Sequence, residues 1–422
     1  MNYFIRFNFS LLRHKLIFRI LLIGFISALF SPYALAQTPE IYVNEVQASN
    51  VSTFPDIVDF GDFSDWIELY NNQTTPVNIG GFYITDDRTT PKKWQIPINT
   101  IIPAKGFYLV WADDFNDIPG KNYIRNSWPN NIPYTTQWGH TNFKLSKEGE
   151  SVILYTSSGV LVDSLAFVNQ IEDVSFGRKP DGSSNLFLFG EPTPKASNTT
   201  EGINSTIYAK DVIFSNVGGF YDAPLSLSLS STDGSGIVRY TTNGSEPTSK
   251  SSVFSSPIFV SSTTIISARV FEAGKLPGTV VSSSYFINEE RTLPAFSIIA
   301  ERDYVMGRER GIYLNSLKDK EIPVNLEFFP IDGGVGFSQG TGMRIGGENI
   351  YRFAQKPLNI YARGDYGESQ IDYKVFDHLP FQAYKRLYLR NSGDDLPYTM
   401  IRDGMISSLI RDEVSNSVQA YR

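Results

Sequence analysis

Residues 65–71 read Asp65-Trp66-Ile67-Glu68-Leu69-Tyr70-Asn71, and their alternation decides the fold class. Successive side chains on a strand point to opposite faces. Ile67 and Leu69 therefore share one face, while Trp66 and Tyr70 point away from it. Upstream, Ile41-Tyr42-Val43-Asn44-Glu45-Val46 alternates in the same way and predicts a second half-buried strand. Residues 76–84, 94–97 and 106–111 are further short strands bounded by Gly, Pro and Asn. Phe143-Lys144-Leu145 leads into a strand over 151–155, and a turn at Ser158-Gly159 returns the chain through 160–167. Many short strands at this spacing predict an immunoglobulin-like sandwich.

The start of the chain predicts export. Arg6, Arg13, Lys15 and Arg19 precede a run from Ile20 to Phe30 that is apolar apart from Gly24 and Ser27. Ala34-Leu35-Ala36 then places small residues where a signal peptidase reads, with cleavage before Gln37. The apolar run is short for a hydrocarbon core of ~30 Å. The whole chain holds 37 Lys and Arg against 44 Asp and Glu. Removing residues 1–36 takes away the four basic residues just named and no acid, which leaves a net charge of −11. That balance disfavours nucleic acid as a partner, because phosphate binding needs concentrated positive charge. Cysteine is absent, so thiol catalysis, thiolate zinc sites and disulfide staples are excluded. Past the leader only His140 and His378 remain, in dissimilar contexts, and both read as loop or surface histidines. Neither a zinc site nor a Ser-His-Asp triad is assigned to them.

Ordered motifs give the first module a family resemblance. Val43-Asn44-Glu45, residues 65–71, Gly80-Gly81-Phe82-Tyr83-Ile84-Thr85-Asp86-Asp87, Ile102-Pro103-Ala104-Lys105-Gly106 and Trp111-Ala112 stand in series. The series continues through residues 140–149, Ser175-Phe176-Gly177-Arg178, Pro180-Asp181-Gly182 and Pro192-Thr193-Pro194. It resembles a bacterial lamin-tail domain, which implies an Ig-like binding or spacer unit without catalysis of its own. Within it, Asp56, Asp59, Asp62 and Asp65 recur every three residues around Gly61. Clustered oxygens suit Ca²⁺, but the spacing is not the alternate-residue pattern of a calcium loop, and solvated turn aspartates are the competing reading.

Residues 197–206 are polar and aperiodic and read as a linker. Leu225-Ser226-Leu227-Ser228-Leu229-Ser230 then has a strict period of two, and Asn243-Gly244 signals a tight turn. Gly218-Gly219-Phe220-Tyr221, residues 239–248 and Ser284-Tyr285-Phe286-Ile287 resemble the small C-terminal sandwich of chitobiases and β-hexosaminidases. Such modules accompany secreted catalytic domains. Phe220 and Tyr221 suit stacking on sugar rings, or else packing in a core or edge.

From Leu293 the composition shifts to longer and more basic side chains. Strands are expected at 323–329, 335–339, 342–345, 358–362 and 385–390, with a turn at 331–334. Residues 399–410 fit an amphipathic helix with Met400, Ile401, Met405 and Leu409 among its apolar positions. Glycine-rich hairpins beside a strand carrying Lys356 suggest a phosphate cradle, although glycine turns are usually only turns. Pro323-Val324-Asn325-Leu326-Glu327-Phe328-Phe329, Gln355-Lys356, Leu389-Arg390-Asn391-Ser392-Gly393 and Thr399-Met400-Ile401-Arg402-Asp403 resemble the opening of a spore-coat CotH-type protein kinase domain. The resemblance implies an atypical protein kinase fold, with Lys356 pairing phosphates and Asp403 as its acidic partner. ATP and Mg²⁺ follow as cofactors of a complete domain. Two departures stand out: residues 346–352 lack the family's His and Ser-Arg pair, and Pro357 replaces the usual Ser. The last residues, Gln419-Ala420-Tyr421-Arg422, read as the approach to another strand, and the family's downstream half with its catalytic and metal-holding aspartates is not found in the sequence, which reads as an incomplete kinase domain.

The fold expected is therefore mainly β. A signal peptide at 1–36 precedes Ig-like β-sandwiches at 38–198 and 205–290 and a partial α+β kinase-like N-terminal lobe at 293–422. The expected function is that of a secreted, periplasmic or cell-surface protein carrying binding or spacer modules. The alternatives are an active secreted kinase, if the chain continues, and a carbohydrate-associated accessory protein. An extracellular protein or glycan is the expected partner, with no transmembrane segment after cleavage. No residue is assigned a catalytic or metal-binding role.

Overall fold

The computed structural model describes residues 38–406 except 57–62, 115–122, 125–132, 135–138, 309, 317–319, 348–353, 378, 393–394, 396–397 and 403. Residues 1–37, Asp59, Asp62, His378, Asp403 and residues 407–410 of the expected last helix lie outside the described residues. Among the described residues no helix is long and apolar enough to cross a membrane.

The first module packs a six-stranded sheet on a four-stranded one. The larger sheet runs Gly139–His140, Phe107–Trp111, Trp66–Asn71, Ile41–Gln47, Ser175–Arg178, Leu186–Phe189 in spatial order. The smaller runs Leu161–Val168, Gly149–Tyr155, Tyr83–Thr85, Trp94–Gln95. Val43, Ile67, Leu69, Val110, Val152 and Leu165 fill the space between them. Trp66 belongs to a separate cluster with Leu109 and Trp111 on the opposite face, as the alternation of 65–71 requires.

Strict alternation along residues 41–46 would send Glu45 into the core with Ile41 and Val43. A bulge prevents it. The register shifts between Val43 and Glu45, so Val43 faces Leu69 while Glu45 faces Glu68 and Val46 faces Ile67. The extra residue, Asn44, carries the shift. Gly177 lies against it, and a Cβ there would stand 2.5 Å from the Asn44 carbonyl oxygen. Only glycine fits. One expectation is corrected here: the strand Trp66–Asn71 is buried along its whole length, not half-buried. The loop 49–56 and the segment 190–198 cover its second face.

The second module centres on a five-stranded sheet of Gly219–Tyr221, Val281–Ile287, Thr264–Phe271, Ile237–Thr241 and Ser252–Val253. The period-two run is two strands: Leu225–Leu227 pairs with Ile258–Val260, and Leu229–Ser231 pairs with Val212–Phe214. Both contribute leucines to one core with Ile266, Val270 and Tyr285. The presumed free linker is pinned. Ile203 exchanges backbone hydrogen bonds of 2.8 and 2.9 Å with Leu188 and packs with Val174 and with Leu276 of the second module. Ile203 is its apolar anchor, and buried Asn198 adds a polar one, its side-chain amide donating to Arg178 O at 2.8 Å.

The third module is an antiparallel meander in chain order: Ala295–Ile299, Glu321–Phe329, Phe337–Ile345, Leu358–Tyr361, Arg386–Leu389. Its core gathers Ile322, Leu326, Met343, Ile360 and Leu387 beneath the short helix Arg302–Met306, which contributes Tyr304. The strands expected at 335–339 and 342–345 are one strand. It passes straight through Gly340 and Gly342, because a side chain at Gly340 would collide with the Tyr366 carbonyl laid across it. In the last expected helix, Met405 N–H donates to Ile401 O at 2.8 Å, but Met400 has a left-handed backbone and stands outside the helix.

Candidate functional site

Strand direction fixes what can surround Lys356. The hairpin carrying Gly333 and Gly334 joins Phe329 to Phe337, and the one carrying Gly346 and Gly347 joins Ile345 to Leu358. Consecutive hairpins of a meander lie at opposite ends of the sheet. The turn at 331–334 therefore lies at the far end from Lys356, and only Gly346 and Gly347 share its end. Gly346 N–H is already donated to Pro357 O at 2.9 Å, the carbonyl next to Lys356. Lys356 is partly shielded, and that desolvation lowers its pKa. Asp403 lies outside the described residues, so its pairing with Lys356 is untested. Among the described residues no group of three His, Asp or Glu ligand atoms gathers in this module. Mg²⁺-nucleotide chemistry needs carboxylates to hold the metal and a group to orient the nucleophile, and the described residues of this module do not gather such a set.

Phe220 and Tyr221 are committed to packing. Phe220 stacks on Phe286 at 4.5 Å and meets Phe329 of the third module edge-on at 6.3 Å. Tyr221 packs against the second core, and its hydroxyl donates to Val217 O at 2.6 Å. The sugar-stacking reading loses both rings.

The densest chemistry lies on the outer face of the six-stranded sheet in the first module. The bulge at Asn44 places Glu45 directly beside Glu68, and both are fully buried. Ser175 Oγ donates to Glu45, as do Thr193 N–H at 3.3 Å and Thr193 Oγ1 at 3.2 Å. Lys195 N–H donates to Glu68, whose other oxygen is enclosed without a hydrogen-bond partner among the described residues. Burial is the main reason that the Glu45 carboxyl is pushed up to about 7, with the Asp181 charge adding to it. Glu68 is also raised, first by burial and then by the Glu45 charge. The Lys195 ammonium is lowered by burial, against the pull of Asp56 and Glu68.

Further along the same face, three chain segments meet at Asp56, Asp113 and His140. His140 pairs in parallel with Trp111, two residues before Asp113. The loop carrying Asp56 is tied down by Asn50, whose amide donates to Phe54 O at 2.6 Å and Ser64 O at 2.9 Å. Phe54 stacks on Trp111 at 5.6 Å. His140 Nδ1 lies 2.6 Å from Asp113 Oδ2, and Nε2 lies 3.5 Å from Asp56 Oδ2. One ligand atom from each residue falls within 4.8 Å of the others. The side chains of Asp56 and His140 are 0 and 1 % exposed, so the reading of His140 as a loop or surface residue is corrected. Of the every-third-residue aspartates, the two that are described part company. Asp56 joins His140, while Asp65 accepts Asn50 N–H at 3.3 Å and is raised by burial to about 7. No spacing signal in the sequence links Asp56 with Asp113 and His140; only the strand pairing does.

Comparison with known families agrees with two of the three modules. The lamin tail domain family model matches residues 35–169, and the chitobiase/beta-hexosaminidase C-terminal domain model matches residues 216–282. No curated protein matches the chain. The chain is thus a multi-module protein of mainly β architecture, built from β-sandwich modules of binding or spacer type.

Proposed function

We propose that the chain is an exported surface or extracellular protein in which two β-sandwiches hold a CotH kinase-like N-terminal lobe in a fixed orientation. The observation that carries this reading is that each junction between modules is packed. Val174, Ile203 and Leu276 join the first module to the second. Phe220, Phe286 and Phe329 join the second to the third, where Ser284 and Ser297 hydroxyls also bond at 2.7 Å. Tyr304 of the third module donates to Ser52 O of the first at 3.2 Å and meets Phe63 edge-on at 5.8 Å. Flexible tethers between independently mobile binding units lack buried apolar junctions of this kind. The CotH assignment is supported by the motif series from Pro323 to Asp403 and by Lys356 standing beside the Gly346-Gly347 turn. Export, with a secreted, periplasmic or surface location, is supported by the basic start, the short apolar run and Ala34-Leu35-Ala36.

The lobe acts in this reading as a displayed unit, and no phosphoryl-transfer step is assigned to the described residues. N-terminal sequencing of exported material tests the export half. The mature chain should begin at or within a few residues of Gln37. Secreted protein that retains Arg6 to Arg19 refutes it.

A further inference from the structure

We propose that Glu327 is a proton-operated latch between the second and third modules: with its carboxyl neutral the junction closes over it, and with its carboxyl charged the junction is driven open. This control acts on one of the packed junctions proposed above and rests on that reading.

Glu327 lies two residues from the end of the strand Glu321–Phe329, paired with Ser297 on one side and Ser338 on the other. Alternation puts Ser297, Glu327 and Phe329 on the face opposite Leu326 and Met343. Two side chains of the second module cover that face. The Ser284 hydroxyl bonds Ser297 at 2.7 Å, and the Phe286 ring meets Phe329 edge-on at 5.2 Å. Glu327 is thereby shut in at 1 % exposure.

The junction offers a charge there little compensation. Glu327 Oε2 is buried without a hydrogen-bond partner among the described residues. Ser284 favours the charged form through its hydroxyl and its backbone N–H, but burial outweighs both. The strands packed against Glu327, Val281–Ile287 and Ala295–Ile299, carry no charged residue. Glu321 and Arg344 pair with each other at the far end of their own strands. Arg291 lies over the Phe220 ring at 5.6 Å and is not ion-paired with Glu327. Tyr285 feels the Glu327 charge but is itself raised by burial, which keeps it neutral. A buried carboxylate without a cation or full hydrogen bonding either takes a proton or returns to water. Burial accordingly pushes the Glu327 carboxyl from 4.5 up to about 7. The closed value lies above the open one. The closed junction therefore has its full stability below pH 4.5 and loses it as pH rises through about 7.

Because cysteine is absent, one introduced thiol can report the opening. Ser284 is 3 % exposed, so Ser284→Cys in residues 37–422 should react with a thiol reagent only when the junction opens. Its rate, divided by that of a free cysteine peptide at the same pH, gives the open fraction. Between pH 4.5 and 8.5 that fraction should rise on the order of 100-fold, and adding Glu327→Gln should abolish the rise. A second measurement leaves the junction unaltered. In the chain labelled with ¹³C-glutamate, the carboxyl resonance missing from Glu327→Gln should titrate with a midpoint near 7. A midpoint near 4.5, a thiol equally protected at both pH values, or a rise that persists in Glu327→Gln overturns the latch and leaves the packed junction standing. A thiol reactive at both pH values shows instead that the junction is not packed, which overturns both.

Discussion

Replacing Glu45 with glutamine should make the first module more stable at neutral pH and flatten its response to pH. Glu45 is buried, and its carboxyl is raised from 4.5 to about 7. Ionising it in the fold therefore costs about 3 kcal/mol more than ionising it in the unfolded chain. Since the folded pKa lies above the unfolded one, the neutral carboxyl's contribution is complete below pH ~4.5 and is lost as pH rises through about 7. Glu68 is shifted in the same direction, so its ionisation adds to the loss. Glutamine keeps an acceptor for Ser175 and Thr193 and cannot ionise. It also removes the charge that raises Glu68. All five tryptophans fall between residues 66 and 138, so indole fluorescence reports the first module alone. Urea titrations at pH 4.5 and 8 should show wild type losing about 3 kcal/mol more than Glu45→Gln between the two. Glu45→Gln should lose markedly less and be the more stable protein at pH 8. Parallel losses in the two proteins would refute the idea that the Glu45–Glu68 pair is held partly protonated by burial.

Other outcomes follow from the same packing. Gly177→Ala should destabilise the first module by more than about 3 kcal/mol, because the added Cβ meets the Asn44 carbonyl of the bulge; the same fluorescence titration reads it. Phe220→Ala should cost about 3 kcal/mol through lost packing on Phe286 and Phe329 while leaving binding on a glycan array unchanged; calorimetric unfolding and the array check the two halves. Radiolabelled ATP with Mg²⁺ or Mn²⁺ should give no phosphate incorporation with residues 37–422, and incorporation abolished by Lys356→Ala would show that the lobe is active. Ile203→Asp should open residues 197–206 to limited proteolysis that the unaltered chain resists, because it removes the buried apolar anchor of that stretch.

Much of the fold was legible because both sandwiches repeat a simple rule, with apolar residues alternating between turn signals. Residues 65–71 revealed their two faces that way, and the lamin-tail and chitobiase-type motifs placed the modules. The outer face of the first sheet was not legible. Its character depends on one bulged residue, Asn44, which turns Glu45 from the core side to the side of Glu68. A period-two reading cannot see a one-residue shift that hydrogen bonding to Asp181 and Gly182 maintains. Likewise His140 becomes a neighbour of Asp113 only through a parallel pairing with Trp111, which leaves no local spacing signature. Lys356 was singled out by motif alone, as an expectation. Which of two glycine hairpins faces it followed only once the meander order was known.

The absence of cysteine permits a direct test of the packed-junction reading. Val168, Phe259 and Leu314 are exposed residues of the first, second and third modules, each open to a spin label after substitution by cysteine. Double electron–electron resonance on the pairs 168/259 and 168/314 should give one narrow distance distribution for each. Adding Ile203→Asp should broaden the first pair. Broad or multiple distances in the otherwise unaltered chain would mean that the modules swing independently, and would contradict the proposal that the sandwiches hold the third module in a fixed orientation.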